Sequence, residues 1–270
     1  LCDADAPLSD LYAALAEATR PPPPQTINGL LDEYIRHALP EKRRTTQKSY
    51  EARIPRLRKH FGHMAVGDLT PMFCAMFLEG RKGQGRNVSG NRELAILSAA
   101  YNYGMRQGWV AFNPCRGVAR NTERPRRRFI RDDEWQEALT RAPIRFRLLL
   151  EFAELTGLRQ GDIRRLTWDQ VGADGIEVAE SKTGKRVMVG WSDDLAWLVY
   201  RAAMLTAGER LVFLNKWKRP WAVWGIQSAM RRLGVDWTFH DIRARAESVH
   251  PSGLGLLSRY KRARAITPVR

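Results

Sequence analysis

Cysteine is scarce in this chain, three among 270 residues. Cys2, Cys74 and Cys115 are widely spaced and odd in number, so neither a disulfide framework nor a zinc site follows from them, which fits a reducing cytoplasm. Apolar runs are short, and none approaches the length of a membrane span. The N-terminus lacks the basic-then-apolar pattern of a secretion signal. The chain opens on Leu1 and not on methionine, so an upstream piece is expected. There is no internal repeat, and the only low-complexity tract is a run of four prolines.

Acidic residues are the other shortage. The chain carries 45 Lys and Arg against 29 Asp and Glu, a net charge of +16. A solvated basic surface is possible in any protein, but an excess of this size points first to a polyanionic partner, most often nucleic acid. The excess is uneven. Residues 1–25 hold four acids and one arginine, residues 26–128 hold twenty bases and eight acids, and residues 129–270 hold twenty-four and seventeen. The middle segment is therefore the expected electrostatic grip. With 44% hydrophobic residues and nine tryptophans, the chain is a folded protein, long enough for two domains with real cores.

Residues 1–25 read as the remnant of an upstream module, with a helix over Leu8–Thr19, followed by a stiff linker at Pro21-Pro22-Pro23-Pro24. Residues 26–120 read as a helical domain. Ile27, Leu30, Leu31, Tyr34, Ile35 and Ala38 recur at helical spacing, and Thr45 or Thr46 can cap a second helix carrying Tyr50, Ile54, Leu57 and Phe61, with Pro55 near a bend or an early turn. Thr70-Pro71 opens a helix over Met72–Leu78, then comes a Gly-rich basic loop over residues 80–86. A further helix spans Asn91–Gln107, with Gly108 just past its end. Residues 121–128, with four arginines and no hydrophobic period, form a basic linker that can follow a DNA backbone. Residues 129–270 read as mostly helical with one small sheet. Asp132 and Asp133 open one helix, and an apolar helix over Phe146–Leu155 ends at Gly157. Gly175–Glu180 and Arg186–Val189 alternate as a β-hairpin, and an amphipathic continuation follows Asp162 through Trp168. Ser192 caps another helix, and one more spans Ala222–Leu233.

Four stretches in the second half carry chemistry. Thr156-Gly157-Leu158-Arg159 places an arginine just past a helix end. The planar guanidinium stays charged and can bind two phosphate oxygens at once. Ser181-Lys182-Thr183-Gly184-Lys185 is the turn of the hairpin, from which an ammonium could protonate a leaving hydroxyl; Lys182 and Lys185 both qualify. His240-Asp241-Ile242-Arg243 puts an imidazole and a guanidinium on one face at a helix start. Tyr260 follows, among Arg259, Lys261, Arg262 and Arg264, cations that would favour its phenolate. Each motif alone is commonplace, as a helix end, a solvated turn, a helix cap or a rim tyrosine.

In this order, behind a basic helical domain, they resemble the tyrosine recombinases, the phage integrase family, over about residues 26–270. The resemblance implies a helical core DNA-binding domain at 26–120 and an α+β catalytic domain at 129–270, mainly α with a small β-sheet. It implies a site-specific recombinase or integrase of a prophage or mobile element that clamps the duplex between its two domains. The enzyme would cut and rejoin DNA through a covalent 3′-phosphotyrosine. Arg159, Arg243 and His240 would hold the phosphate, with Asp162 as buttress, Lys182 as acid and Tyr260 as nucleophile. No cofactor or metal is implied. The expected partners are double-stranded DNA, three further copies of the chain in a tetramer on DNA, and host DNA-bending factors. The expected compartment is the cytoplasm of a bacterium or phage-infected host, at the nucleoid. The family's Leu-Gly-His before the tyrosine does not occur here, and only sixteen residues separate Arg243 from Tyr260. Either His250 substitutes for that histidine or the segment has been cut out. The second alternative admits an inactive relative that only binds DNA.

Overall fold

The computed structural model describes residues 22–124, 128–181 and 184–249. The chain forms two compact units, residues 1–125 and 126–270. It is mainly helical with one small sheet, the expected fold class.

In the first unit, Thr26 caps α1 (Ile27–Glu33) by accepting the Gly29 amide at 3.3 Å. The helix widens into a π-helical turn over Tyr34–Ala38, which the sequence pattern did not reveal. Next come α2 (Arg44–Glu51) and α3 (Ile54–Phe61). Contrary to expectation, Thr45 and Thr46 lie inside α2, and its N-cap, Arg43, makes no side-chain cap bond. Pro55 sits in the first turn of α3, where its missing amide costs nothing. Thr70 caps α4 (Pro71–Gly83), and α5 (Asn87–Arg106) follows. The expected basic loop is therefore mostly helix, and α5 starts four residues early. The reason is a buried ion network. Glu93 is fully buried, with Arg56 Nη1 at 2.6 Å and Arg81 Nε at 2.9 Å, and Ser89 donates to it at 3.0 Å. A Cβ on Gly90 would lie 2.8 Å from that of Arg81. Glycine in the first turn of α5 is what lets α4 and α5 close around the pair. Ile27, Leu30, Leu57, Leu94, Leu97 and Tyr101 form the core.

The second unit is built on α7 (Ile144–Thr156), with α6 (Asp132–Arg141) before it. Helix α9 (Asp193–Thr206), capped by Ser192, and α11 (Asp241–Val249) both pack on α7. The remaining helices are α8 (Gln160–Ile163) and α10 (Val223–Arg232). The sheet is antiparallel, in the order β1 (Val171–Gly172), β2 (Gly175–Ala179), β3 (Arg186–Val189). Ile176 pairs with Val189 and Val178 with Val187, so these four buried residues share one face of the sheet. The helical continuation expected through Trp168 stops at Ile163. Trp168 N instead donates to Arg210 O at 3.1 Å and Val212 N to Leu166 O at 3.0 Å. Long-range pairing claims those backbone groups before a helix can. Among the described residues no helix is long and apolar enough to cross a membrane.

Candidate active site

Helix α7 ends because Gly157 turns left-handed, with φ 59°, donating its amide to Ala153 O at 2.9 Å. That turn sets Arg159 at the N-cap of α8 in extended conformation. The Arg159 side chain is 31% exposed, and its Nη1 lies 2.5 Å from Oε1 of buried Glu180, the residue that follows β2. Glu180 raises the arginine's pKa above its ordinary value, outweighing the opposing effect of partial burial. One turn on, Asp162 is buried. Its Oδ1 accepts the Ser181 amide at 3.1 Å and lies 3.2 Å from Arg165 Nη2. Two carboxylates thus lock the Arg159 turn to the hairpin: Glu180 grips the guanidinium, and Asp162 grips the backbone where the hairpin begins its turn. Glu180 N donates to Lys185 O, and Gly184 N to Glu180 O, closing the turn on itself. Lys182 and Thr183 lie outside the described residues.

His240 and Arg243 are one helical turn apart at the start of α11. Asp241 fixes that start by accepting the Thr238 amide at 2.6 Å and the Thr238 hydroxyl at 2.9 Å. His240 is exposed, and Arg243 is half-buried with its Nε 3.4 Å from Glu247 Oε1. Together with Arg128, Phe129, Asp241, Ala244 and Glu247 they line an open cleft of ≈ 500 Å³. Arg159 is not among its lining residues. Arg128, expected in a linker free to follow DNA, is built into this unit instead. It binds Asp236 through Nε and Nη2 at 3.1 and 2.8 Å, and Glu134 Oε1 at 2.6 Å.

Helix α11 is tied to α7 by Arg245, which sequence reading passed over. Its side chain is 5% exposed and reaches Glu154 Oε1 at 2.7 Å, Asp132 Oδ1 at 2.8 Å and Ile130 O at 2.9 Å. Its guanidinium also lies 5.4 Å from the Trp135 ring centre. Glu154 stands five residues before Arg159, so the helix that begins at His240 and carries Arg243 is fastened to the one whose end leads into Arg159. The only signal for Arg245 was its spacing, two residues past Arg243 on the face shared with Ile242 and Ala246. Glu180 gave a weaker one, a lone carboxylate at the end of an alternating strand. His250 and Tyr260 lie outside the described residues. Among the described residues, no three His, Cys, Asp or Glu side chains group as metal ligands would.

Comparison with known proteins places this arrangement. The model of the phage integrase family matches residues 129–249. The integrase of Enterobacteria phage 434 is 26% identical over 170 residues, covering 61% of this chain and 47% of that protein. The integrase of Escherichia phage lambda is 25% identical over 170 residues with the same coverage. The chain thus spans about half the length of the curated relatives it matches. A lambda integrase (75-356) dimer bound to a COC′ core site superposes with a TM-score of 0.76 at 20% identity, covering 91% of this chain and 99% of that one. A lambda integrase tetramer bound to a Holliday junction gives 0.77 at 19%, covering 97% and 88%. The Tn1549 transposon integrase in complex with circular intermediate DNA gives 0.68 at 14%, covering 87% and 92%. At these identities the structures establish a shared fold. Over residues 129–249 the chain matches the phage integrase family, the tyrosine recombinases.

Proposed function

We propose that this chain is a site-specific DNA recombinase of the integrase type, which cuts and rejoins strands through a covalent 3′-phosphotyrosine. The observation that carries the reading is His240 and Arg243 side by side in one cleft, at the start of a helix fastened by Arg245 to the helix that leads into Arg159. As phosphorus becomes five-coordinate, negative charge grows on its two non-bridging oxygens. Arg159 and Arg243 stabilise that charge, and His240 donates a hydrogen bond to the same group. Tyr260 attacks phosphorus, and the bond to the 5′-oxygen breaks. Lys182 delivers a proton to that oxygen. The phosphotyrosine ester keeps the bond energy, so a 5′-hydroxyl can attack it and reseal the strand without ATP. His250 is assigned as a substitute for the family's histidine near the tyrosine.

The basic helical domain, residues 26–120, joined through 121–128 to the catalytic domain, residues 129–270, supplies the further grip on double-stranded DNA. Relatives of this fold are described as a dimer on a core site and a tetramer on a Holliday junction. A homo-tetramer on DNA is the corresponding assembly here, with host DNA-bending factors as helpers and the nucleoid as its place. The short Arg243–Tyr260 interval favours one rival, a relative that binds DNA without cutting.

The test incubates the full chain with nicked duplexes carrying candidate attachment DNA and looks for complexes that survive SDS. An adduct that disappears in both Tyr260→Phe and Arg243→Ala supports the recombinase. Salt-sensitive binding without an adduct on a verified site selects the non-cutting relative.

A further inference from the structure

A second basic element stands apart from the proposed catalytic cleft. Between α9 and α10 the chain makes a tight turn, Asn215-Lys216-Trp217-Lys218-Arg219, closed by a bridge between Leu214 and Pro220. Residues 216–220 are all exposed, Trp217 at 68%. An indole this open contributes almost nothing to the core; Trp224 is as exposed, and what sets Trp217 apart is the turn that carries it.

The turn is rigidly built. Asn215 N donates to Arg219 O at 2.9 Å, and Lys218 N donates to Asn215 O at 3.0 Å. The Asn215 side-chain oxygen accepts the amides of Trp217 at 2.9 Å and Arg219 at 3.1 Å. Lys218 is the one non-glycine residue with positive φ, 55°, among the described residues. A side chain in that region is strained, and such strain gathers at functional turns. Lys216 Nζ sits 4.6 Å from the Trp217 ring centre, covering one face of the indole. Behind the turn, Arg164 Nε donates to Trp221 O, and the Trp221 ring packs on Phe146 at 5.3 Å. Arg164 lies five residues beyond Arg159, so the turn is rooted in the segment that presents the first catalytic arginine.

Its charge is hardly compensated. Among the described residues no carboxylate pairs with Lys216 or Arg219, and Lys218 has only Glu209, at 3.8 Å, with the lysine 65% exposed. Three cations and one open indole on a pre-ordered turn match phosphates beside an unstacked base. The cations neutralise the phosphates, the free indole face stacks on the base, and rigidity lowers the ordering cost of binding.

We propose that the 215–219 turn is a DNA-contact element, with Lys216, Lys218 and Arg219 on backbone phosphates and Trp217 stacked on a base exposed where the duplex is opened. The proposal rests on the DNA reading above and adds to it a contact outside the catalytic cleft.

The test measures binding of the full chain to a labelled intact duplex and to the same duplex with a short single-stranded gap, across a salt series. One variant is Lys216→Ala/Lys218→Gly/Arg219→Ala, where glycine keeps the positive φ. The other is Trp217→Ala. Unchanged thermal melting shows that both still fold. The triple variant should reduce the steepness of log affinity against log salt by up to about 2.7, roughly 0.9 for each phosphate it no longer neutralises. Trp217→Ala should bind the gapped duplex roughly 5- to 100-fold more weakly at an unchanged salt slope, because stacking releases no counterions. A triple variant with the wild-type slope overturns the proposal, and so does a Trp217→Ala variant that matches wild type on the gapped duplex. Failure of the wild-type chain to bind either duplex would instead overturn the DNA reading itself.

Discussion

Replacing Arg245 with methionine should loosen the helix that carries His240 and Arg243. Arg245 is 5% exposed, and Glu154, its partner at 2.7 Å, is 17% exposed. Breaking a buried pair by deleting one member costs about 3–5 kcal/mol, because the other charge stays desolvated. The Asp132 pair adds about 0–1 kcal/mol at most, since that carboxylate is 86% exposed. Removing the guanidinium from the Trp135 ring adds about 0.5–1 kcal/mol, while the methionine stem returns some apolar packing. The net expectation is about 3 kcal/mol, with Glu154's partial exposure holding it to the low end of the buried-pair range. Eight of the nine tryptophans lie in residues 126–270, so tryptophan fluorescence during urea unfolding reports this unit almost alone. At an m-value near 2 kcal/mol/M the midpoint should fall by about 1.5 M. Adding Glu154→Gln to Arg245→Met should restore part of the stability by removing the stranded charge. A shift below about 1 kcal/mol at unchanged m would refute the reasoning. It would mean that the apolar packing of Ile242 and Ala246 suffices to hold α11.

Three further outcomes test the site. Glu180→Gln should leave DNA affinity near wild type and slow adduct formation roughly 10- to 100-fold, the loss of one charge-assisted hydrogen bond that orients Arg159; single-turnover kinetics would read it, and an unchanged rate would release Glu180 from that role. Gly175→Ala should unfold the hairpin locally. Gly175 has φ 141°, and an added Cβ would stand 2.2 Å from Val189 O, so hydrogen exchange at the Ile176 and Val178 amides should quicken. Glu134 has its pKa lowered from 4.5, first by Arg128 and then by the Arg131 amide. A depressed carboxylate stabilises the fold above its ordinary pKa, and that contribution drains away as pH falls below 4.5 toward the folded value. In Glu134→Gln the melting temperature should fall less steeply over that acid range.

What the sequence determined by itself was local. Thr70-Pro71, Ser192 and Gly157 begin or end helices through bonds between near neighbours, so their composition is enough to place them. Alternation over Gly175–Val189 specifies a hairpin for the same reason, and the four chemical motifs could be read in order because each lies within five residues or fewer. Tertiary structure decided what depends on partners far away in sequence. Glu93 drew Arg81 into the core, held the half-exposed Arg56 at its edge and turned an apparent basic loop into helix. The 210–212 segment took the backbone groups that would have continued α8 past Ile163. Asp236 and Glu134 withdrew Arg128 from the linker, and Glu154 with Arg245 joined the helix that carries Arg243 to the helix that leads into Arg159. A buried charge must find its counter-charge wherever the fold brings one, and no local pattern in the chain encodes that distance.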